Sequence, residues 1–422
     1  MLRAEIKKIV FSFTYILFVV VMIATYITQM VPSLDGPFEK PDVNQEYYGS
    51  KEFEDPNILM PAATENLICE YMTGYYVAYP TMFYKAVHLK EAEQEEMLAI
   101  IYRLSGLTKE EMDNFTDFAW GGYVYVEDET GHLMPKYTDA SLPEYHFNTD
   151  VTYEEFKVLM EKADELIGCG SSYAAENLVV YFSNVPMTYE EAVEEFNQIV
   201  NEENIAKSYT RLYCDYMGIF IALITVFTVA EYWYLDKRAK VTSLVYSRKV
   251  STVRIIFTRV VALVITCFPV VLGTYLHMMI KVNSFYGNMD IQWLDAIKIM
   301  FMWLLPEMLF EILLATFVTE VISPLVAIFL QVIWWYLAIN AGNLVDGINR
   351  WNLIVRHNTM GEVNAWANSY GNFVFNRMLY LGLSGVIIIC LIAVYSSKRK
   401  GKFGIEFKNI LRNRSKKSAE IF

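Results

Sequence analysis

Residues 213–240 read YCDYMGIFIALITVFTVAEYWYLDKRAK. As a helix, the apolar run 213–235 is long enough to cross a hydrocarbon core of ~30 Å. Lys237, Arg238 and Lys240 follow it at once. A long apolar helix closed by a basic cluster reads as a membrane span whose basic end stays inside. Working outward, five more runs of this kind occur at 9–30, 255–279, 294–317, 322–341 and 374–395. The first follows Arg3, Lys7 and Lys8 and lacks a small-residue cleavage pattern, so it reads as an uncleaved anchor.

Six crossings place both termini on one side, and the short loops agree. Segment 236–259 holds seven basic residues and the tail from 397 holds nine. The opposite loops hold Lys281 alone in 277–292, and Arg350 and Arg356 in 342–373. A five-span reading, with 294–341 as one bent unit, would put the basic tail outside and is disfavoured. The remaining charge is sorted the same way. Residues 31–207 carry 35 Asp and Glu against 10 Lys and Arg, a net of −25. The rest of the chain carries 13 against 25, a net of +12. The expected class is an all-α multi-pass membrane protein with six transmembrane helices in a bacterial cell membrane. Its parts are a tail and first span over 1–30, an acidic extracytoplasmic domain over 31–207, a five-helix region over 208–396 and a basic cytosolic tail over 397–422.

The acidic domain reads as mainly helical, with some strand allowed. Three segments begin with Thr followed three residues later by Glu: Thr108 with Glu111, Thr152 with Glu155, and Thr188 with Glu191. This capping box satisfies the free N–H groups of a helix start. After Thr188, Ala192, Val193, Phe196, Ile199 and Val200 keep a helical period. No Gly or Pro follows before Gly218, so this helix is expected to run straight into the span at 213. Arg211 and Asp215, four apart, are expected to pair. Alternating Tyr and Val within 120–132 suggests a hairpin. Gly168 reads as the helix stop after Thr152. Acidic pairs such as Glu154-Glu155 and Glu190-Glu191 read first as solvated faces, with a cation or cationic-peptide site as the alternative. Cys69 and Cys169 are the only cysteines of this domain. A disulfide between them is possible in an oxidising compartment.

Several chemistries lack their residues. No two of the five histidines have zinc-ligand spacing on one helix, and no metal site is expected. There is no G-x-S-x-G elbow and no G-x-x-x-x-G-K phosphate loop. No catalytic residue and no cofactor of its own is expected. Basic residues cluster beside the spans, which favours anionic lipid over nucleic acid.

Between the spans at 213 and 255 lies a basic segment in which Val241, Leu244 and Val245 recur at helical spacing beside Lys240 and Arg248. It reads either as an interfacial helix on anionic headgroups or as a docking helix for a cytosolic partner. Here the chain resembles the permease subunits of type-2, exporter-type ABC transporters. Glu231 near the end of the second span, the stretch 238–251 and the turn 254–259 match that class. The stretch 342–373, with Trp351 and Trp366, resembles its paired outer re-entrant helices. The turn 168–173, the Thr-Tyr-Glu-Glu helix and 211–216 resemble members from Gram-positive bacteria with a large domain after the first span. The resemblance covers nearly the whole chain by arrangement and short patterns. It implies a coupling helix over 238–252, with Glu231, Val241, Leu244, Val245 and Arg248 as ATPase-coupling residues. It also implies a second permease chain, and a separate ATP-binding cassette subunit that holds the ATP.

Glu307 and Glu311 stand one turn apart within the fourth span, and Arg259 lies at similar depth in the third. An ionisable group inside a bilayer is a functional hypothesis by default. These three read either as a polar patch lining a translocation path or as a structural ion pair with Arg259. The expected function is outward movement of a lipid, peptide or drug-like substrate, driven by ATP hydrolysed elsewhere. The alternative is a membrane-anchored receptor or immunity protein whose external domain binds a ligand. A multi-pass enzyme is disfavoured by the missing motifs.

Overall fold

The computed structural model describes residues 1–80, 84–113, 123–127, 133–137, 146–287, 289–340 and 348–401, with 123–127 and 133–137 as backbone. It divides into two compact units, Asp42–Ala192 and the rest of the chain.

The chain opens with α1 (Leu2–Val10) and α2 (Phe13–Thr25). The run 9–30 is therefore broken. The hydroxyl of Ser12 accepts from the Tyr15 N–H at 3.2 Å and starts a new helix. α1 is amphipathic, with Arg3, Lys7 and Lys8 exposed and Ile9 buried. α2 continues through a π turn at Tyr26–Met30 and a 3-10 turn at Val31–Leu34, where Pro32 cannot supply a helical N–H.

The unit Asp42–Ala192 contains α3 (Pro56–Thr73), α4 (Glu91–Ser105), α5 (Lys109–Asp113), α6 (Tyr153–Ile167) and α7 (Leu178–Phe182), and α8 (Tyr189–Asn197) begins in it. Three antiparallel pairs accompany them: β1 (Ser50–Glu52) with β6 (Asn184–Pro186), β2 (Tyr76–Ala78) with β3 (Lys85–Val87), and β4 (Tyr123–Glu127) with β5 (Leu133–Tyr137). The β4–β5 pair is the hairpin expected from the Tyr/Val alternation, and its turn, 128–132, lies outside the described residues. Helices α3, α4 and α6 bury stripes at helical spacing, including Leu59, Ala63 and Leu67, then Met97, Ile101 and Leu104, then Phe156, Met160 and Ala163. Reciprocal capping boxes form at Thr108 and Thr188. Thr152 caps α6. There Glu155 turns outward to Arg103 instead, at 2.7 and 2.9 Å.

Gly168 ends α6 in the left-handed region, as expected. Gly170 (φ +75°) is required by a close approach, because a Cβ there would sit 2.8 Å from the Tyr79 carbonyl oxygen. Cys69 is buried on α3 and Cys169 is exposed in the turn after α6. Both are free thiols. The disulfide open in the sequence is not formed, because one thiol fills the core while the other sits in a solvent-facing turn.

The second unit is helical. α9 (Ile205–Arg238) is followed by α10 (Thr242–Ser247), α11 (Thr252–Tyr286), α12 (Trp293–Val321), α13 (Pro324–Ile339) and α14 (Val363–Arg399). The uninterrupted helix expected from Thr188 into the span is corrected here. After a π turn at Gln198–Glu202, Asn204 takes φ +85° and caps α9 by accepting from the Ala206 N–H at 3.2 Å. Asn tolerates this backbone because its short side chain can bond locally, so no Gly was needed to break the helix. α9 packs against α2, α11, α12 and α13, and α12 lies between α9 and α14. Among the described residues, five segments are long and apolar enough to cross a membrane: Phe13–Leu34, Ile205–Arg238, Thr252–Tyr286, Trp293–Val321 and Val363–Arg399. Pro324–Ile339, the expected fifth of six spans, has 16 residues. At 1.5 Å per residue it reaches only ~24 Å.

Candidate functional site

Buried charge collects at two places in the helical unit. The first lies where α9, α12 and α14 begin, beneath the irregular strap 348–362. Arg211, Asp215 and Gly218 share one face of α9 at spacings of four and three. Arg211 is fully buried. Its guanidinium bonds Glu203 at 2.8 and 2.6 Å and donates to the strap carbonyls of Met360 at 2.9 Å and Thr359 at 3.3 Å. Asp215 accepts from Arg356 Nε at 2.9 Å and from the His357 N–H at 2.6 Å. The expected Arg211–Asp215 pair is thus not made. Arg211 is held by Glu203 and the strap carbonyls, and Asp215 by Arg356 and the His357 N–H of the strap.

Glu307 on α12 is wholly buried, and its Oε2 pairs with Nη1 of Arg377 at 3.1 Å. Arg377, also buried, donates to the carbonyls of Trp303 and Leu353, both at 3.1 Å. Gly218 makes this approach possible. A Cβ there would stand 3.2 and 3.4 Å from the two carboxylate oxygens. Oε1 of Glu307 meets no donor among the described residues. One turn on, Glu311 accepts from the Gln331 side chain of α13. The expected pairing of Glu307 or Glu311 with Arg259 is corrected: Arg259 bonds Asp236 at the other end of α9. Buried ions hold together only when paired and hydrogen-bonded, so this seam ties α9, α12, α14 and the strap into one arrangement.

The strap is gripped mainly through its carbonyls. Asn376 Nδ2 donates to Asn352 at 2.6 Å and Arg350 at 3.2 Å, and the Tyr380 hydroxyl donates to Trp351 at 2.8 Å. His357 is held well below its ordinary range, at about 4, first by burial and then by the Arg211 charge. The re-entrant helix pair expected over 342–373 is not seen in its described part. Residues 348–362 are irregular, and 363–373 belong to the continuous helix α14.

The second place is the basic end, where α9 stops and α11 starts. Within 238–252, the segment expected to form a coupling helix, the helical part is the six-residue α10 in a longer loop. Leu244 is 62% exposed, Val241 and Val245 are half-buried, and Arg248 is exposed. This surface is held from below by α14. Arg399 donates to the carbonyls of Tyr246 at 3.1 Å, Arg248 at 2.8 Å and Val250 at 2.7 Å, and to the Thr252 hydroxyl at 3.2 Å. One turn back, the Tyr395 ring meets Tyr246 edge-on at 5.3 Å and Trp233 at 6.3 Å. Lys398 pairs with Glu320 at the end of α12 at 2.9 Å. Beside this clamp, Arg259 lies over Trp233 at 4.8 Å, and Asp236 also meets Lys8 of α1 at 3.5 Å. Glu231, expected to serve coupling, accepts from the Thr14 hydroxyl at 2.6 Å and holds the first turn of α2.

Sequence reasoning reached Glu307, Glu311, Leu244 and Arg259 but missed Arg377, Gln331, Glu203 and Arg399. Arg377 carried the same signal as Glu307, a lone charge in an apolar run. Arg399 was hidden among the other bases of its tail.

The residues described make a mainly helical, multi-pass membrane protein. Comparison with known proteins finds no family model, no curated protein and no solved structure that matches this chain.

Proposed function

We propose that this chain is the membrane-spanning, non-catalytic permease subunit of an ATP-driven ABC exporter. It would cross a bacterial cell membrane six times, with both termini inside and Asp42–Ala192 outside. A separate ATP-binding cassette subunit would dock on the Leu244 surface, and a second permease chain would complete the path for a lipid, peptide or drug-like substrate. The observation that carries this reading is the continuity of α14. Its last turn grips the docking segment through Arg399, and its first half grips the strap through Asn376, Arg377 and Tyr380. The 22 residues from Arg377 to Arg399 span ~33 Å, about one hydrocarbon core. A push on the docking segment would therefore reach the Glu307 seam along one helix.

The test is Leu244→Asp. A charge buried in the docking contact costs several kcal/mol when no water reaches it. Membrane levels should stay normal, while a P-loop ATPase no longer co-purifies and transport stops. Retention of both would move the assignment to the rival reading, a membrane-anchored receptor or immunity protein. The separate core of Asp42–Ala192 favours that rival, since a ligand-binding module needs a fold of its own.

A further inference from the structure

A cavity of about 750 Å³ opens where the first turns of α9, α12 and α14 meet. That volume falls within the range of small-molecule sites, ~300–1,000 Å³. Its walls are of two kinds. Ile299, Met302, Trp366 and Tyr370 give an apolar floor, and Glu202 and Lys207 are charges on its rim. The step from polar to apolar follows the helices. Asp295, also on the rim, and Met302 are seven residues apart on α12, ~10 Å along its axis.

The other rim charges are already taken up. Glu203 is bound by Arg211 and by the Ser208 hydroxyl at 2.7 Å. Asp295 is bound by Lys298 at 2.8 Å. Lys207 is half-buried, and Glu202 is exposed. Neither side chain makes a hydrogen bond or ion pair among the described residues, although the Lys207 charge also acts on Asp295. The cavity thus offers one cation and one anion whose side chains have no hydrogen-bonded partner among the described residues, beside an apolar floor. A purely anionic ligand would meet Lys207 but leave Glu202 repelling it, and a purely cationic one the reverse.

We infer that this cavity binds a zwitterionic amphiphile, its anionic group on Lys207, its cationic group at Glu202 and its apolar chain along Met302 and Tyr370. The inference deepens the transport reading by naming a ligand class for the end of the helices that reading places outside. The binding itself belongs to the chain alone and needs no ATPase.

The test is native mass spectrometry of the full-length chain in detergent. The probes are phosphatidylethanolamine, phosphatidylglycerol of matched chains, and the single-chain dodecylphosphocholine. One phosphatidylethanolamine should be retained in preference to phosphatidylglycerol. Lys207→Gln should weaken that retention about tenfold, the scale of one charge-assisted hydrogen bond. Glu202→Gln should shift preference toward phosphatidylglycerol. Lys281→Gln, an unrelated surface change, should do neither. Displacement of phosphatidylethanolamine by dodecylphosphocholine would mark a site for free amphiphiles, and its failure a site for bilayer lipid; both support the inference. Equal retention of both phospholipids, or no response to the two rim variants, overturns it. Leu244→Asp separates the two proposals: lipid retention should survive in it even though docking is lost.

Discussion

Glu307 depends on two neighbours of opposite kind, a glycine that leaves room and an arginine that supplies charge. Arg377→Gln would leave the carboxylate buried without its ion, a loss of about 3–5 kcal/mol. Gly218→Ala should cost less, about 1–3 kcal/mol, because the carboxylate can shift to admit a methyl. Unfolding in mixed detergent should rank the two in that order, and Glu307→Gln with Arg377→Gln should recover part of the loss. A larger loss in Gly218→Ala than in Arg377→Gln would contradict the ion-pair account. Glu307 and Glu311 could be read from the sequence, because a carboxylate in an apolar run stands out. Their partners could not. Periodicity shows which face a residue occupies, not which helix lies opposite.

Glu70 supplies a titrating carboxyl in the other unit. It is buried on α3 and accepts from the Tyr173 hydroxyl at 2.7 Å, and burial raises it from the ordinary 4.5 to about 7. The folded state therefore binds this proton more tightly than the unfolded one. The stability it confers is complete below pH 4.5, falls as pH rises toward 7, and is gone above that. The loss is on the order of 3 kcal/mol. Glu70→Gln should flatten this pH dependence and raise the melting temperature at pH 8 above that of the parent. An unchanged slope between pH 5 and 7 would show that Glu70 does not titrate there.

At the scale of elements, the spans were legible as apolar runs, while their ends were not. The breaks at Ser12 and Asn204 come from single side chains capping the next helix, which no hydrophobic pattern records. The reverse holds at 363–373, which the resemblance assigned to outer re-entrant helices but which α14 runs straight through. That continuity makes Arg399 the fastening of the loop between α9 and α11. Arg399→Gln removes most of the donors that hold the carbonyls of Tyr246, Arg248 and Val250. Trypsin should then cut after Arg248 or Lys249 several-fold faster, with no change in cleavage elsewhere. An unaltered rate would mean that the loop is held by its aromatic contacts alone.

At the scale of the molecule, the division by charge matches the division into units. Asp42–Ala192 holds 29 acids against 8 bases. It also has its own core of α3, α4 and α6 side chains. Expressed alone, 42–192 should be soluble, monomeric and mainly helical, as read by sedimentation and far-ultraviolet circular dichroism. A spectrum of disorder would mean that its core needs the rest of the chain. The sequence showed this unit as an acidic insert with capped helices. Its small β pairs were harder to see, because three-residue strands carry no alternation to read.

Proline placement divides the long spans mechanically. α11 carries Pro269 and α12 carries Pro306, each removing a backbone hydrogen bond and forming a point where the rod can flex. α14 contains no proline over its 37 residues. Under load α14, like the proline-free α9, would behave as a stiff strut beside the two jointed helices. Force entering at Arg399 would travel the strut nearly undiminished, and deformation would gather at the joints. Pro306 directly precedes Glu307, so one of those joints lies beside the buried carboxylate.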